Sequence, residues 1–479
     1  MTDEREERLE QLQNLRENNN AYSYNFDRSH TVEELQELDE GEGNLPDRSF
    51  STAGRVMEIR SFGELVFMDL RGERSEIQII VRENEDLLEI VEDLYRGDII
   101  GLEGHLTYTN KGEFSLQAES LEVLSRGVRH IPSDHFGLED QEQRYRDRAL
   151  HLITDMEARD DLRIRSEIIR EIRNFLHDRS FMEVETPTLQ PVYGGASAEP
   201  FTTHVRELDQ EWYLNISPEL YLKRLIIGGY ERIFEITKNF RNESIDTTHN
   251  PEFTMMEIYQ TYADYEDMME LTEQLYEHVA VRVTGSTEVE YQGETLDMSA
   301  PWRRMTMTEA IQEHGDFNVE ELTDNEIRER MNEHGVELDS EYERGLAIAE
   351  LFEEVAEGEI VQPTHIIDHP EETTPLCMQH RSKDGHIERF ESFAMGIELC
   401  NSYTELRDPI RQRELFEEEQ RRQDEGDDEA HPIDMDYVEA LELGMPPTGG
   451  LGIGIGRMVM LMTDNQSIRD VTLFPMMKN

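Results

Sequence analysis

The sequence predicts an α+β protein with a small N-terminal β-barrel and a larger domain that contains both strands and helices. Short β-prone runs separated by glycine and charged turns fill residues 49–125. Residues 232–259 follow a strand, loop, strand pattern, and apolar residues recur at helical spacing around residues 164–175. At 479 residues, 37% of them apolar, the chain can hold two or three domains with sizeable cores.

The N-terminal extension, residues 1–48, is predicted to be helical because Leu9, Leu12 and Leu15 recur at helical spacing among charges. The β-prone segment contains five short runs, which is typical of a small barrel of the oligonucleotide-binding type, the OB-fold. We predict this domain over residues 49–129. Another kind of small β domain is the alternative. The five runs cover residues 54–59, 64–70, 76–81, 98–107 and 113–123.

Residues 130–154 are predicted to form a linker that leads into the larger domain, residues 155–479. Within that domain, residues 318–358 are helical in pattern and strongly charged, so we expect a peripheral helical insertion.

The composition excludes several classes of protein. Cys377 and Cys400 are the only cysteines, which argues against a disulfide framework or a cysteine-built zinc site. No apolar stretch approaches membrane-spanning length, and the acidic N-terminus lacks the character of a signal peptide. We therefore expect a cytoplasmic protein without a membrane partner.

The predicted hairpin at residues 232–259 carries four side chains suited to holding a nucleotide. Arg241 can reach a phosphate oxygen, Glu243 an amino group, and Phe253 can lie against a base, while His249 sits in the turn-rich loop. An ordinary antiparallel hairpin with a surface ion pair is the alternative.

A second cluster lies far downstream, where glycine alternates with branched apolar residues over residues 449–456 and Arg457 follows at the start of a helical run. Glycines here permit close approach of backbone or ligand. The spacing fits neither the dinucleotide-binding nor the P-loop pattern, and a set of tight turns is the alternative.

These clusters and their order resemble the class II aminoacyl-tRNA synthetases, specifically the bacterial-type lysyl enzymes of subclass IIb, from about residue 55 to 475. Residues 167–187 are similar to the first motif of that class, the hairpin to the second and residues 450–457 to the third. Residues 216–223 and 398–406 resemble segments of lysyl enzymes in particular. The resemblance implies a catalytic domain with a mostly antiparallel sheet flanked by helices.

The resemblance also implies the chemistry. In such enzymes the carboxylate of lysine attacks the α-phosphorus of ATP, pyrophosphate leaves, and the lysyl-adenylate acylates the 3′-terminal ribose of tRNA(Lys). Catalysis is then positioning and charge stabilisation. By this resemblance, Arg241 and Arg457 are expected to take the catalytic positions, and ATP is expected to be bound by these two arginines with Glu243, His249 and Phe253.

Glu391 and Glu398 match the positions that hold Mg²⁺ in the family, with more than one ion in each active site. Without the motifs around them, they would be two surface glutamates among 107 acidic residues.

The lysine substrate is expected to meet a set of acids, because a buried ammonium needs a counter-charge. Glu257 and Glu405 are expected to face its ε-ammonium, helped by the hydroxyl of Tyr259. Tyr403 is expected to flank the aliphatic stem, although plain packing is its alternative. Glu219 is expected to take the α-amino group, with a structural cap as its alternative, and Asn401 to support the carboxylate end.

In the N-terminal barrel, Arg60, Phe67, Gln78 and Glu113 match positions with which the family reads a uridine-rich anticodon. An aromatic face can stack on an unpaired base while amide and carboxylate groups bond its edge. Phe67 taken alone is more often a core residue.

Motif 1 implies a homodimer. Ile164, Ile168, Ile172 and Phe175 form one apolar helical face that could contribute to the interface, and internal core is the alternative.

The sequence departs from the family pattern at several places. Gly456 stands where aspartate is usual, Ser244 where glycine is usual, and Thr248 and Glu199 where arginine is common; residues 237–238 replace a pair that usually ends in arginine. We expect these changes to affect details of the site and to leave activity in place.

The net charge of −61 is unexpected for a protein that should bind a polyanion. Arginine supplies nearly all the basic groups. The pattern suggests a salt-rich cytosol, where screening contracts to about 3 Å near 1 M salt and an acidic surface stays hydrated. The few lysines are Lys111, Lys223, Lys238, Lys383 and Lys478.

Other functions fit less of the sequence. A non-catalytic RNA-binding relative should have lost Arg241 or Arg457, which are present. An enzyme that lysylates a protein should lack the N-terminal barrel, and an aspartyl or asparaginyl synthetase should offer its substrate a cation or an amide, where this chain has Glu257 and Glu405.

Overall fold

The structure is a computed structural model that describes residues 2–17, 22–41, 44–82, 84–132, 138, 140–338, 342–425 and 432–478. The chain folds as two units, residues 1–160 and 161–479. Parts of the predicted linker (133–137 and 139) and of the predicted insertion (339–341) lie outside the described residues.

The first unit contains the predicted barrel. Its strands pair in the order β1-β2-β3-β5-β4 and close on themselves, with β3 parallel to β5 and the other pairs antiparallel. The predicted runs are confirmed, each within a few residues except that β1 starts earlier. The elements are α1 (Thr2–Glu17), α2 (Val32–Gln36), β1 (Ser49–Phe62), β2 (Leu65–Arg71), β3 (Glu76–Arg82), α3 (Glu85–Glu92), β4 (Ile99–Tyr108), β5 (Phe114–Ser125), α4 (Gln141–Arg146) and α5 (Arg148–Thr154).

The barrel core follows from the alternation of side chains along each strand. On β2, Val66, Met68 and Leu70 are buried while the residues between them are more exposed. Gly104 on β4 is required by close approach, because an added Cβ would lie 2.0 Å from the carbonyl oxygen of Gln117 on β5.

Helices α4 and α5 lie in the segment for which the sequence predicts a linker. The Asp140 side chain accepts a hydrogen bond from the backbone N–H of Glu142 and so caps α4, while Leu150 of α5 packs with Ile131 and Leu138. A cap and a small apolar cluster are enough to order short helices that lack a long periodic pattern.

The second unit is built on one mixed sheet with the strand order β14-β15-β16-β17-β18-β11-β10-β6, antiparallel except at β14–β15 and β10–β6. The predicted α+β class, an OB-fold barrel followed by a mostly antiparallel sheet with helices, is confirmed. Strands β7, β9 and β8 form a separate three-stranded sheet, and β12 and β13 a two-stranded one. The strands of the unit are β6 (Met182–Glu183), β7 (Leu189–Gln190), β8 (Thr202–Val205), β9 (Gln210–Leu214), β10 (Arg232–Phe240), β11 (Glu252–Thr261), β12 (Glu288–Tyr291), β13 (Glu294–Asp297), β14 (Arg303–Thr306), β15 (Thr364–Ile367), β16 (Arg389–Ala394), β17 (Ile397–Thr404) and β18 (Thr448–Gly454).

Helices cover this sheet. The chain also forms short 3₁₀ turns at Val319–Glu321, Glu357–Glu359 and Glu371–Thr373. Helix α6 begins just before the boundary between the units. The helices are α6 (Met156–Asp178), α7 (Glu219–Ile227), α8 (Tyr265–Thr284), α9 (Met307–His314), α10 (Asp324–His334), α11 (Arg344–Val355), α12 (Pro409–Glu425), α13 (Met435–Leu441) and α14 (Ile455–Met462).

The apolar face of α6 is part of the core of the second unit. Ile168 and Ile172 are 0% exposed and Phe175 is 2% exposed, and all three pack in one cluster with residues of α8, β11 and α14, while Ile164 is partly buried against it. The apolar face of α6 is therefore internal core, which was the alternative to a dimer interface.

The charged segment 318–358 is only partly peripheral. Its helices α10 and α11 share a buried cluster with Met305, Ile366 and Phe393 of the sheet. Helix α11 differs from a peripheral element, because its Ala347, Leu351 and Phe352 are buried in this cluster.

None of the described helices is both long and apolar enough to cross a lipid bilayer.

The buried position of α6 leads to a prediction about stability. Ile172→Ala should lower the free energy of unfolding by about 2–5 kcal/mol, because it removes buried methyl groups and leaves a cavity. Ser166→Ala, at an exposed position of the same helix, should change it by less than about 0.5 kcal/mol. Urea unfolding in concentrated KCl measures both, and equal effects would contradict the assignment of this face to the core.

Candidate active site

A cavity of about 570 Å³ opens over the centre of the sheet in the second unit. Strands β11, β17 and β18 form its floor, and α11 contributes one wall. The structure brings every predicted site residue of the larger domain into the lining of this one cavity. They are Glu219, Arg241, Glu243, His249, Phe253, Glu257, Tyr259, Glu391, Glu398, Asn401, Tyr403, Glu405 and Arg457.

The glycines of β18 make this convergence possible. Gly450 lies opposite Tyr259 on β11 and Tyr403 on β17. A Cβ added at Gly450 would lie 1.8 Å from a carboxylate oxygen of Glu405 and 2.8 Å from the ring of Tyr259. The glycine run predicted from the sequence is therefore a strand whose missing side chains leave room for its neighbours' polar groups.

One end of the cavity is rich in arginine. The guanidinium of Arg241 lies 5.2 Å from the centre of the Phe253 ring. Its buried Nε has no hydrogen-bond partner among the described residues, and desolvation lowers its pKa. A desolvated cation with an unused donor is the arrangement expected where an anionic ligand binds.

Arg457 stands in the first turn of α14, as predicted, and ties two parts of the site together. It donates to Glu398 at 2.7 Å and to Nε2 of His249 at 3.1 Å. Because a guanidinium only donates, Nε2 must accept, which places the His249 proton on Nδ1, where it donates to Asp246 at 2.9 Å. The loop of the hairpin is thus held against the strand and helix of the third motif.

The acidic residues beside Arg457 are suited to a divalent cation. Glu391 on β16 and Glu398 on β17 accept hydrogen bonds from Arg389 at 2.6 Å and Arg457 at 2.7 Å respectively. Burial raises the pKa of Glu391 although Arg389 lowers it. Burial acts in the same direction on Glu398, but the charge and hydrogen bond of Arg457, together with the charges of Arg241 and Arg389, lower its pKa.

Two further acids stand at the same end. Desolvation, with neighbouring carboxylates, raises the pKa of Glu353 and of Glu357 to about 7. This excess of carboxylate oxygens fits Mg²⁺, although no three metal-binding side chains among the described residues converge on one point. Mg²⁺ accepts one or two carboxylates when substrate phosphates and water supply its other ligands.

The opposite end of the cavity is a pocket of buried acids. Glu257 is 3% exposed and accepts hydrogen bonds from Ser217 at 2.8 Å and Tyr259 at 3.0 Å. Desolvation, with the nearby charge of Glu219, raises the pKa of Glu257 to about 8. Glu257 forms no ion pair with any residue that the structure describes.

Glu219 and Glu405 differ from Glu257, because both already contact a cation. The ammonium of Lys223 lies 2.5 Å from Glu219 and also forms an ion pair with Glu405. The hydroxyl of Tyr403 donates to Glu219 at 2.6 Å. Glu219 lies in the first turn of α7 but forms these buried contacts, so the alternative of a plain structural cap does not describe it.

Some functional groups of the site were missed in the sequence. Ser217 and Lys223 orient the acids, and Arg389 donates to Asn401 at 3.1 Å as well as to Glu391. Their signal was local: Lys223 follows Glu219 by one helical turn, and Arg389 precedes Glu391 on the same face of a strand.

The departures at Gly456 and Thr248 also have a structural setting. A Cβ at Gly456 would lie 2.3 Å from Cδ1 of Ile468, so any side chain there requires Ile468 to move. The backbone N–H groups of Thr248 and His249 donate to Asp246, each at 2.7 Å, which holds the loop without the usual arginine.

The barrel residues lie on one outward face of the first unit. Arg60 pairs across the strands with Phe67, and Asp69 pairs with Gln78, which puts these side chains on the same side of the sheet. Phe67 is half-buried and contacts the exposed Phe62, so it is not a core residue.

The polar groups of this face are partly engaged. Arg60 pairs with Glu58 and donates to Asp69 at 2.8 Å, and Gln78 accepts from Ser115 at 3.1 Å. Glu113 is exposed just before β5.

The two units match two known families. Residues 140–478 match the family described as tRNA synthetases class II (D, K and N), and residues 50–124 match the OB-fold nucleic acid binding domain. These matches agree with the sheet, its glycine strand and the barrel.

Similar proteins cover nearly the whole chain. A lysine–tRNA ligase of Methanoculleus marisnigri is 47% identical over 98% of this chain and 94% of its own length. Those of Saccharolobus solfataricus and Carboxydothermus hydrogenoformans are 46% and 45% identical, over 99% and 98% of this chain and 97% of their own length. The chain belongs to the class II tRNA synthetases, in the group formed by the lysine–tRNA ligases.

Proposed function

We propose that this protein joins L-lysine to tRNA(Lys) in two steps within the cavity of the second unit. In the first step a carboxylate oxygen of lysine bonds to the α-phosphorus of ATP, and the bond from that phosphorus to pyrophosphate breaks. In the second step the 3′-hydroxyl of the terminal adenosine attacks the acyl carbon and AMP leaves. The observation that carries the proposal is an unpartnered arginine, Arg241, in the same cavity as a pocket of buried acids.

The nucleotide would bind at the arginine-rich end. Arg241 would lie between the attacking carboxylate and the α-phosphate, where negative charge accumulates in the transition state. The adenine would stack on Phe253 with Arg457 on its other face and Glu243 at its amino group, while His249 would approach the outer phosphates. These side chains already border one space, so little rearrangement would be needed.

Mg²⁺, with more than one ion in the site, would be held by Glu391 and Glu398. When bound, it would neutralise charge on the phosphate oxygens of the leaving group. The two carboxylates now bind arginines, so this chain holds their charges in place before any ligand enters.

Lysine would bind at the acidic end. Glu257, assisted by Tyr259, would pair with the ε-ammonium together with Glu405, and Tyr403 would lie along the stem. Glu219 would accept the α-ammonium and Asn401 would support the carboxylate end. A neutral amino acid would leave these acids buried and unpaired, so the pocket should reject it strongly. Aspartate would add a further negative charge to the pocket.

The barrel face would bind the anticodon, with a base stacked on Phe67 and base edges bonded by Gln78, Glu113 and Arg60. Its match to a nucleic-acid-binding family supports this role.

We also propose a homodimer. The apolar face of α6 does not support it, because that face is part of the core. Strand β6 lies at the edge of the sheet, and Met182, Leu189 and Tyr230 are apolar side chains more than 40% exposed. Contact between two copies would cover them.

The charge of −61 supports a salt-rich cytoplasm as the working environment. Screening there removes long-range repulsion of tRNA, and short-range contacts decide binding.

The first experiment is amino-acid-dependent exchange of pyrophosphate into ATP, with the standard amino acids tested one at a time. We expect exchange with lysine alone, faster near about 1 M KCl than near about 0.1 M, because the acidic surface needs screening. Exchange with aspartate would assign a sister enzyme of the family. No exchange at any salt concentration would favour a non-catalytic protein.

Glu257 should release a proton when lysine binds. With a pKa near 8, its carboxyl is protonated in the free protein at pH 7, and an adjacent ammonium lowers that pKa. Affinity for lysine should therefore rise as pH approaches 8 and then level off. Calorimetry at pH 7 in two buffers of different ionisation enthalpy measures the release. Identical heats for the wild type would contradict the prediction, and Glu257→Gln should abolish the release.

Removing one proposed metal ligand should raise the requirement for metal. In Glu391→Gln the Mg²⁺ concentration for half-maximal exchange should rise by at least about 10-fold. Glu354→Gln, at an exposed position of α11, is the matched control and should leave it unchanged. A shift of similar size in both variants would point to general surface charge.

A further inference from the structure

Lys223 occupies an unusual position directly behind the acidic end of the cavity. Its side chain is 0% exposed, and its Nζ lies 2.5 Å from Oε1 of Glu219. The same ammonium forms an ion pair with Glu405, and it lies 5.4 Å from the centre of the Tyr403 ring. Lys223 itself does not line the cavity, whereas both of its carboxylate partners do.

The composition of the chain makes this lysine conspicuous. All five lysines lie in the described part of the chain, and the other four are exposed. Arginine serves nearly everywhere else as the cation. An ammonium is compact and donates in three directions, whereas a guanidinium is wide and planar. The buried space between Glu219 and Glu405 therefore suits lysine better than arginine.

The buried charges at this end can be counted. Glu219, Glu257 and Glu405 supply three carboxylates, all at most 5% exposed, and Lys223 supplies one ammonium. Although burial lowers the pKa of Lys223, the charges of Glu219 and Glu405 raise it well above its ordinary value, so the ammonium stays charged. When all three acids are ionised, which an ammonium beside Glu257 favours, the pocket lacks two positive charges, and lysine carries two ammonium groups.

We propose that Lys223 is a positioning residue that determines specificity. Its ammonium holds the carboxylates of Glu219 and Glu405 together, and the pocket therefore requires a substrate with two ammonium groups. This proposal rests on the proposed function. It adds to it a residue that touches no substrate but fixes the two acids that do.

The physical reason lies in the repulsion between the two carboxylates. Burial and the charge of Glu219 raise the pKa of Glu405, and the charge of Lys223 opposes this rise. Without Lys223, one of the two neighbouring carboxyls would take up a proton or turn away. A protonated or displaced carboxyl no longer pairs with an ammonium of the substrate. Lysine binding would then lose one charge-assisted contact, while the nucleotide end would be unaffected.

The main test is Lys223→Met, which keeps the aliphatic length and removes the charge. The KM for lysine in pyrophosphate exchange should rise by about 10- to 100-fold, as expected for one lost ionic hydrogen bond. The KM for ATP should stay within about 2-fold of the wild type, because Lys223 contacts only the acidic end. Lys383→Met is the control, since Lys383 pairs with Asp368 and neither residue lines the cavity, and it should change neither constant.

Chemical rescue tests the role of the charge itself. Lys223→Ala lacks three carbons and the ammonium, which n-propylammonium replaces. This ion should lower the KM for lysine in Lys223→Ala, whereas propan-1-ol, similar in size and neutral, should not. Neither compound should improve Lys223→Met, whose slot is filled. If the alanine variant does not fold, the methionine variant decides alone.

Each outcome has a definite meaning. Equal rises in both KM values, or a fall in kcat alone, would show a structural role and overturn the proposal, as would absence of rescue in a folded alanine variant. Calorimetric titration of L-lysine into each protein separates this proposal from the proposed function. If the wild type does not bind lysine, both fall; if the wild type and Lys223→Met bind it equally, only the role of Lys223 falls.

Discussion

The absence of side chains at the glycine positions of β18 is the constraint on which the rest of the site depends. This strand separates β11 from β17, and the glycines at 450 and 452 let large polar side chains of both neighbours occupy the same layer above the sheet. A methyl group at Gly450 would displace the carboxylate of Glu405. Burying several acids side by side needs such space, and the loss of strand stability that glycine brings is met by pairing on both edges.

The cavity divides into two ends of different charge chemistry. Arginines and carboxylates share one end, where Arg241 retains an unused donor, and carboxylates dominate the other, where Glu257 lacks a cation. The acids of the second end are buried from ions in the solvent, and screening acts mainly on exposed charges. The site can therefore keep its local field in concentrated salt, even though the surface field that corresponds to −61 is largely suppressed there.

The features predictable from sequence were local ones. The hairpin, the glycine strand and the barrel strands each follow from periodicity or turn residues within a short window, and the structure has them at or near the predicted positions. The choice of site residues came from similarity to a known family, and the structure gathers them in one cavity without testing their roles.

What the sequence concealed depends on distant contacts. In a helix, Glu219 and Lys223 look like an ordinary surface pair, and only the fold adds Glu405 and removes the solvent. The apolar face of α6 could be assigned to core or interface only once α8 and α14 were placed against it. The position of α11 could not be predicted, because its sequence is strongly charged. Its few apolar residues pack against the sheet, while Glu353 borders the cavity.

The pairing of Arg60 in the barrel has a consequence for how this surface responds to its environment. Glu58 and Asp69 already neutralise its guanidinium, and Phe67 beside it offers an uncharged face. A nucleic acid held there by stacking and base-edge contacts would displace few condensed counterions, because counterion release requires cations that neutralise phosphates. The affinity contributed by this face would then vary little with the ion concentration inside the cell. Discrimination between RNAs would therefore change little when osmotic conditions change.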